Sequence, residues 1–327
     1  MKLQLALVAT VLAIAAPLGF SGADFNSTSR NPGNSVGTAP DYAAPDVTAA
    51  PIAKVQAGNG SSFIRQGGTY YVYADVTDSG NPATGTSSVT ADVSAITAGQ
   101  TAVALTAGSY TAAGVTYNYR SAQLTASNPL AAGDKTYRLT TTDGAGNTRT
   151  DATGRTVTVD NTPPAGADVQ TANKTGGVAF RPEAGDTATL TFDEIVEPQS
   201  ILATWNGGAA ENVVVRINNN DAATGGNDSL RVYNLANTAQ LPLGTVNLGR
   251  TDYVTANLTF GATGTRSTMA VTGNGFVVVL GTASAAGTTA AANGTMSWAP
   301  STTAYDRAGN AAATAARTEL GVADREF

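Results

Sequence analysis

The most regular alternation in the chain is residues 70–78, YYVYADVTD. Tyr71, Tyr73 and Asp75 fall on one side of it and Tyr70, Val72, Ala74 and Val76 on the other. A period of two predicts a strand with one buried face. Shorter runs of the same kind follow at 87–96 (SSVTADVSAI), 101–107 (TAVALTA), 115–126 (VTYNYRSAQLTA), 137–143 (YRLTTTD) and 155–160 (RTVTVD). Turn clusters such as Asp78-Ser79-Gly80-Asn81-Pro82 separate them. The pattern closes at residues 140–164, where Asp143-Gly144-Ala145-Gly146-Asn147 predicts a tight reversal between two strands. Pro163 and Pro164 cannot donate to a ladder, so the sheet should stop there. About seven strands at this spacing predict a sandwich of two antiparallel sheets.

The same landmarks return after Pro164. Gly185-Asp186-Thr187 introduces ATLTFDEIVEP as Gly68-Thr69 introduces the first strand, and TAYDRAGNAAA (303–313) echoes TTTDGAGNTRT (140–150). The second copy spreads them over a longer stretch, Gly185 to Asp306 against Gly68 to Asp143. The excess falls in 205–260 and reads as an added hairpin with a solvated Asn/Asp/Gly-rich tip, NNNDAATGGNDS. The expectation is therefore an all-β chain of two tandem sandwiches, 46–162 and an enlarged 163–317, with a frayed tail at 318–327.

Before the first strand, Lys2 precedes an apolar run, residues 3–19, broken only by Gln4 and Thr10, and Ser21-Gly22-Ala23 supplies small residues for cleavage after Ala23. This is the layout of a signal peptide over 1–23, followed by a polar linker over 24–45. No later segment is apolar enough to span a bilayer. Export as a secreted or cell-surface protein follows, with no membrane span after cleavage. An uncleaved N-terminal anchor is the other reading of the same run.

Composition narrows the chemistry. The 327 residues contain no Cys and no His, which excludes disulfides, thiolate and imidazole metal sites, and Ser-His-Asp or Cys-His nucleophiles. Only 13% of residues are charged, with a net charge of −6 and no basic stripe, so nucleic acid is not an expected partner. A hard cation bound by oxygen remains open.

Two resemblances rest on these motifs. The D-x-A-G-N turn, the V-D-N-T-P-P exit and DTATLTFDEIVEP resemble bacterial immunoglobulin-like (Ig-like) domains of actinobacterial secreted proteins; the chain has Asp193 where those have Ser, and keeps Glu194. Phe25 followed by Ser29-Arg30-Asn31-Pro32-Gly33-Asn34 resembles the mature start of Gram-positive exported proteins of the TasA/camelysin type, which include fibre-forming matrix proteins. The resemblance implies a non-catalytic structural or adhesive role. Its partners would be other envelope or matrix proteins, with self-assembly through residues 24–39 by strand addition. It also implies Ca²⁺ at an interdomain position, for which Asp143, Asn147, Asp160 and Asn161 are the candidate ligands. The same four residues read equally as turn and exit caps. Asp306 and Asn310 are their counterparts by the repeat, but no third domain follows them.

A carbohydrate-binding sandwich is the alternative. It would use Trp205, Trp298 or the tyrosines 70, 71, 73, 117 and 119 to bind surface glycans, although both Trp lie in apolar contexts that suit a core. An enzyme is the third class. Its densest acids are Asp193, Glu194 and Glu197, but neighbouring strand residues point to opposite faces, so Asp193 and Glu194 cannot serve one substrate together.

Overall fold

Strand pairing places Tyr70, Val72, Ala74 and Val76 in the interior of a sheet, as the alternation predicts. The computed structural model describes residues 40–58, 60, 62–151, 154–321 and 327. The expected leader (1–23) and most of the expected linker (24–39) lie outside the described residues. Among the described residues, no helix is long and apolar enough to cross a membrane. Tyr42–Phe327 form one compact unit containing two sheets.

The first sheet comprises β1 (Asp46–Ala49), β2 (Ile52–Lys54), β3 (Phe63–Ile64), β4 (Thr69–Thr77), β5 (Thr86–Asp92), β6 (Val103–Ala112), β7 (Val115–Ser121), β8 (Leu124–Thr125), β9 (Gly133–Asp143), β10 (Thr148–Thr150) and β11 (Arg155–Val159). Its order is β1-β4-β7-β6-β5-β9-β11-β3, and the sheet curls so that Ser62 N, just before β3, donates to Ile52 O in β2 at 2.7 Å. The β11–β3 pair is parallel; the other pairings are antiparallel. The outer face of β4 is only partly solvated, with Tyr71 and Asp75 half-buried on it. Tyr73 and Tyr117 are buried there with Ala53, so the expectation of one buried face holds only for the inner side.

The second sheet comprises β12 (Gly166–Ala172), β13 (Thr187–Phe192), β14 (Glu211–Asn218), β15 (Ser229–Tyr233), β16 (Thr245–Asn247), β17 (Leu258–Phe260), β18 (Ser267–Thr272), β19 (Gly275–Val279), β20 (Ser297–Ala299) and β21 (Arg317–Thr318). Its order is β12-β13-β19-β18-β14-β15-β16-β20-β21. The two edges nearly close it into a barrel. Leu320 N donates to Asp168 Oδ1 at 2.8 Å, Gln170 Nε2 to Leu320 O at 3.0 Å, and Arg317 Nε to Gly166 O at 3.1 Å. Closure of this kind hides edges that would otherwise recruit foreign strands.

Two cores result, and they share no residue. Ile52, Val72, Leu139 and Val157 belong to the first, and Val213, Phe260, Phe276 and Trp298 to the second. Among the described residues no strand of one sheet pairs with a strand of the other.

Three expectations change. The tip of the added hairpin is solvated only at its surface, where Asn220, Ala222, Ala223 and Gly225 are exposed; at its base Asp228 is fully buried and accepts from Asn220 N, Tyr253 N and Val254 N at 3.0–3.1 Å. Neighbouring Asp221 takes Arg231 at 2.6 Å, so these acids hold loops together by themselves. The tail is also attached, because β21 joins the sheet and the Phe327 ring is buried against Tyr253, with centroids 6.0 Å apart. Finally, a one-turn helix, α1 (Pro198–Ile201), interrupts the strand pattern directly after Glu197, with Pro at its start, where no N–H is needed.

Candidate metal centre between the two sheets

Three chain segments end at one place. β11 stops at Val159, and Asp160 N donates to Ile64 O at 2.9 Å, so Asp160 caps the exit from the first sheet. β13 stops at Phe192, and the chain turns through Asp193, whose Oδ1 accepts Ala165 N at 2.8 Å. Strand alternation ends with β13, so the expectation that Asp193 and Glu194 face opposite ways does not hold: both line the same cavity. The third segment is the second D-x-A-G-N turn. Val196 and Asp306 form an antiparallel bridge that brings this turn back against the end of β13.

The turn orders Asp306 completely. Its Oδ1 accepts Gly309 N at 2.6 Å and Asn310 N at 2.7 Å, and its Oδ2 accepts Asn310 Nδ2 at 2.8 Å. Gly309 has φ 92°, a left-handed conformation that favours glycine at this bend, and a Cβ there would meet the Gln56 side chain. The same Asn310 amide reaches the Asp160 carbonyl at 2.9 Å.

Asp160, Glu194 and Asp306 each offer a carboxylate oxygen, and these oxygens lie within 4.8 Å of one another. A cavity of about 330 Å³ opens beside them, with Phe63, Asn274 and Arg307 on its wall. No ion pair joins the three to a basic side chain among the described residues, and Glu194 Oε1 is buried without a hydrogen-bond partner. Burial first, then the fields of Asp160, Asp306 and Asp193, push the Glu194 carboxyl up to about 7. Burial also raises Asp306, against the pull of its three N–H donors.

Gathered anions with an orphaned oxygen suit a hard cation. Ca²⁺ takes oxygen ligands at 2.3–2.6 Å, so two ligands on opposite sides of it stand about 4.8 Å apart. These three residues would hold it, supplying charge neutralisation and a bridge between the sheets.

Of the four ligands expected from sequence, only Asp160 is here. Asp143 and Asn147 cannot join it. Val159 lies opposite Gly133 at one end of β9, whereas Asp143 ends the same strand, on the order of 30 Å away at the rise of a strand. Both Asp143 oxygens are already taken by Asn147, through its N and its Nδ2, each at 2.7 Å. Asn161 turns into the first sheet, accepting Gln66 N and donating to Leu130 O at 2.8 Å. Asp306, which the sequence reading left at a free end, and Glu194, read as a strand-end acid, complete the group instead. The repeat marked Asp306 as a counterpart of Asp143, and Glu194 stood out only as a motif position and one of three dense acids, with no local sign of a ligand.

A second contact lies alongside. Lys54 Nζ of β2 meets Glu197 Oε2 at 3.3 Å, with the two side chains 4% and 2% exposed, and donates to Arg307 O at 2.7 Å. Tyr305 Oη donates to Ala57 O at 3.1 Å. Burial lowers the Lys54 ammonium, while Glu197 opposes that shift.

The sugar platform is absent from the tryptophans. Trp205 and Trp298 are 1% and 0% exposed, with their indole N–H groups on Ala209 O and Leu243 O. Tyr71 and Tyr110 grip the Arg120 guanidinium between their rings at 4.3 and 4.4 Å, which occupies those faces.

No protein-family model matches this chain, and no curated protein sequence does either.

Proposed function

We propose that this is a non-catalytic, exported structural or adhesive protein of the cell envelope. Its two β-units are read as Ig-like sandwiches, the second enlarged, joined into one rigid body by Ca²⁺ held at Asp160, Glu194 and Asp306. The convergence of these three carboxylates from both units, with Glu194 Oε1 unpartnered, carries the reading. The buried Lys54–Glu197 pair and the exposed Tyr305–Ala57 hydrogen bond support it, because both join the same two units. The proposed partners are other envelope or matrix proteins, with residues 24–39 as the segment for self-assembly.

Thermal melting with Ca²⁺ and with chelator tests the cation. A ligand that binds only the folded state adds about 2.7 kcal/mol at a hundredfold excess over its Kd. The midpoint should rise with Ca²⁺, and an unchanged midpoint would remove the metal from the reading.

One observation favours a second reading, a carboxylate hydrolase: Glu194, raised to about 7, shares a cavity with ionisable partners. It is the weaker one. Glycosidases place two carboxyls about 5 Å or more apart, flanking a bond. Here three oxygens crowd around one point, and those of Asp306 are tied by N–H donors. Turnover of a glycan panel, lost in Glu194→Gln, would reverse the order.

A further inference from the structure

The pair Lys54–Glu197 is separated by 143 residues in the chain and joins β2 to the start of α1. Ion pairs this deep are costly, since both charges leave water and their attraction offsets that only in good geometry. The geometry here is unusual for a pair meant to stay ionic. The contact is long for a charge-assisted bond, 3.3 Å, whereas the second Nζ bond, to Arg307 O, is 2.7 Å. That shorter bond fixes the nitrogen, and the short helix with its leading Pro fixes the backbone beside Glu197.

The reacting atoms also surround a common point. A Cβ built on Gly58 would lie 2.5 Å from Glu197 Oε2, 2.6 Å from Lys54 Nζ and 2.8 Å from Glu197 Cδ. Only glycine lets the backbone close over the pair, and it does so directly above the amine and the carboxyl carbon. Cavities border both partners, one lined by Lys54 and another by Glu197, so a small leaving molecule has somewhere to go.

We propose that Lys54 and Glu197 condense into a side-chain amide that covalently joins the two β-units. The proton balance is internal. The ammonium passes one proton to the carboxylate, leaving a neutral amine and a carboxylic acid. The Nζ lone pair then attacks Cδ and forms the C–N bond. One further Nζ proton moves to the departing hydroxyl, the C–O bond breaks, and one water leaves. No oxidant, reductant or second substrate is required. Three features favour the step. Desolvation holds the Lys54 ammonium below its ordinary pKa, which frees the nucleophile. Lys54 Nζ is held 3.3 Å from Glu197 Oε2, the oxygen bonded to the carbon it would attack. The neutral amide also removes two buried charges.

The amide does not depend on the cation, and its absence would leave the proposed function standing on the ionic contact. The test is the mass of the purified full-length chain. Wild type should weigh one water less than its own sequence. Proteolysis after unfolding should release a branched peptide containing both Lys54 and Glu197. Lys54→Met and Glu197→Ala should each return to the sequence mass. Wild-type protein at its full sequence mass, cut by trypsin after Lys54 once unfolded, overturns the proposal. That measurement needs no variant to fold.

Discussion

Asn310 donates its side-chain amide to the Asp160 carbonyl at 2.9 Å, joining the second D-x-A-G-N turn to the residue just after the last strand of the first sheet. The same nitrogen holds Asp306 Oδ2 at 2.8 Å, so one amide orders two of the three clustered acids. Its repeat counterpart, Asn147, makes the local half of this arrangement, to Asp143 at 2.7 Å.

That asymmetry gives a paired experiment. Asn310→Ala should cost about 1–3 kcal/mol in urea unfolding, because it orphans buried acceptors. It should also weaken the response to Ca²⁺. Asn147→Ala should lower stability through its own hairpin and leave the Ca²⁺ response intact. A Ca²⁺ response lost in Asn147→Ala and kept in Asn310→Ala contradicts the assignment of the site.

Glu194→Gln removes one of three crowded negative charges while keeping the side-chain shape. In chelator the variant should melt higher than wild type, since the repulsion that raises the wild-type carboxyl is gone. With Ca²⁺ it should gain little. Calorimetry of both proteins in both buffers reads the crossover. A variant that melts lower in chelator and gains as much from Ca²⁺ as wild type would speak against the cluster.

The pH dependence follows from the same group. Its carboxyl sits at about 7 in the folded chain against an ordinary 4.5, so the folded state holds this proton more tightly than the unfolded state. The contribution is full below about 4.5 and is lost as pH rises through 7. Asp306, also raised, acts in the same direction. In chelator the melting midpoint should therefore fall between these pH values. Ca²⁺, which needs the ionised form, should oppose that fall and bind more weakly in acid. A midpoint in chelator that climbs steadily from pH 5 to 7 would count against the raised value.

Asp228 tests the added hairpin. Asp228→Ala strands the N–H groups of Asn220, Tyr253 and Val254 in the interior and should cost about 2–5 kcal/mol. Asp228→Asn keeps one acceptor oxygen and should fall in between. The midpoints of denaturant unfolding order the three proteins, and a loss below about 0.5 kcal/mol in the alanine variant would mean Asp228 does not hold the base of the hairpin.

Trp298 separates core from platform. Trp298→Ala should cost about 3–5 kcal/mol, since the ring is fully buried and packs edge-on against Phe192 at 4.8 Å. Glycan-array binding lost in a variant that keeps its stability would favour the carbohydrate alternative instead.

What could be read along the chain was what neighbours in sequence decide. Alternation at Tyr70–Val76, the turn chemistry of Asp143–Asn147 and Asp306–Asn310, and the stop at Pro163-Pro164 depend on side-chain direction, local hydrogen bonds and missing donors. The tertiary structure alone decided which turn meets which sheet end. Glu194 became a ligand candidate, and Lys54 met Glu197, because a particular register and the Val196–Asp306 bridge brought distant segments together. Register is set by packing across the whole sheet, and a shift of one residue would turn these side chains to the other face. Thus the D-x-A-G-N turn of the first unit closes its hairpin and bonds to Thr84 and Gly85 of the same unit, whereas its second copy reaches across to Asp160 of the other.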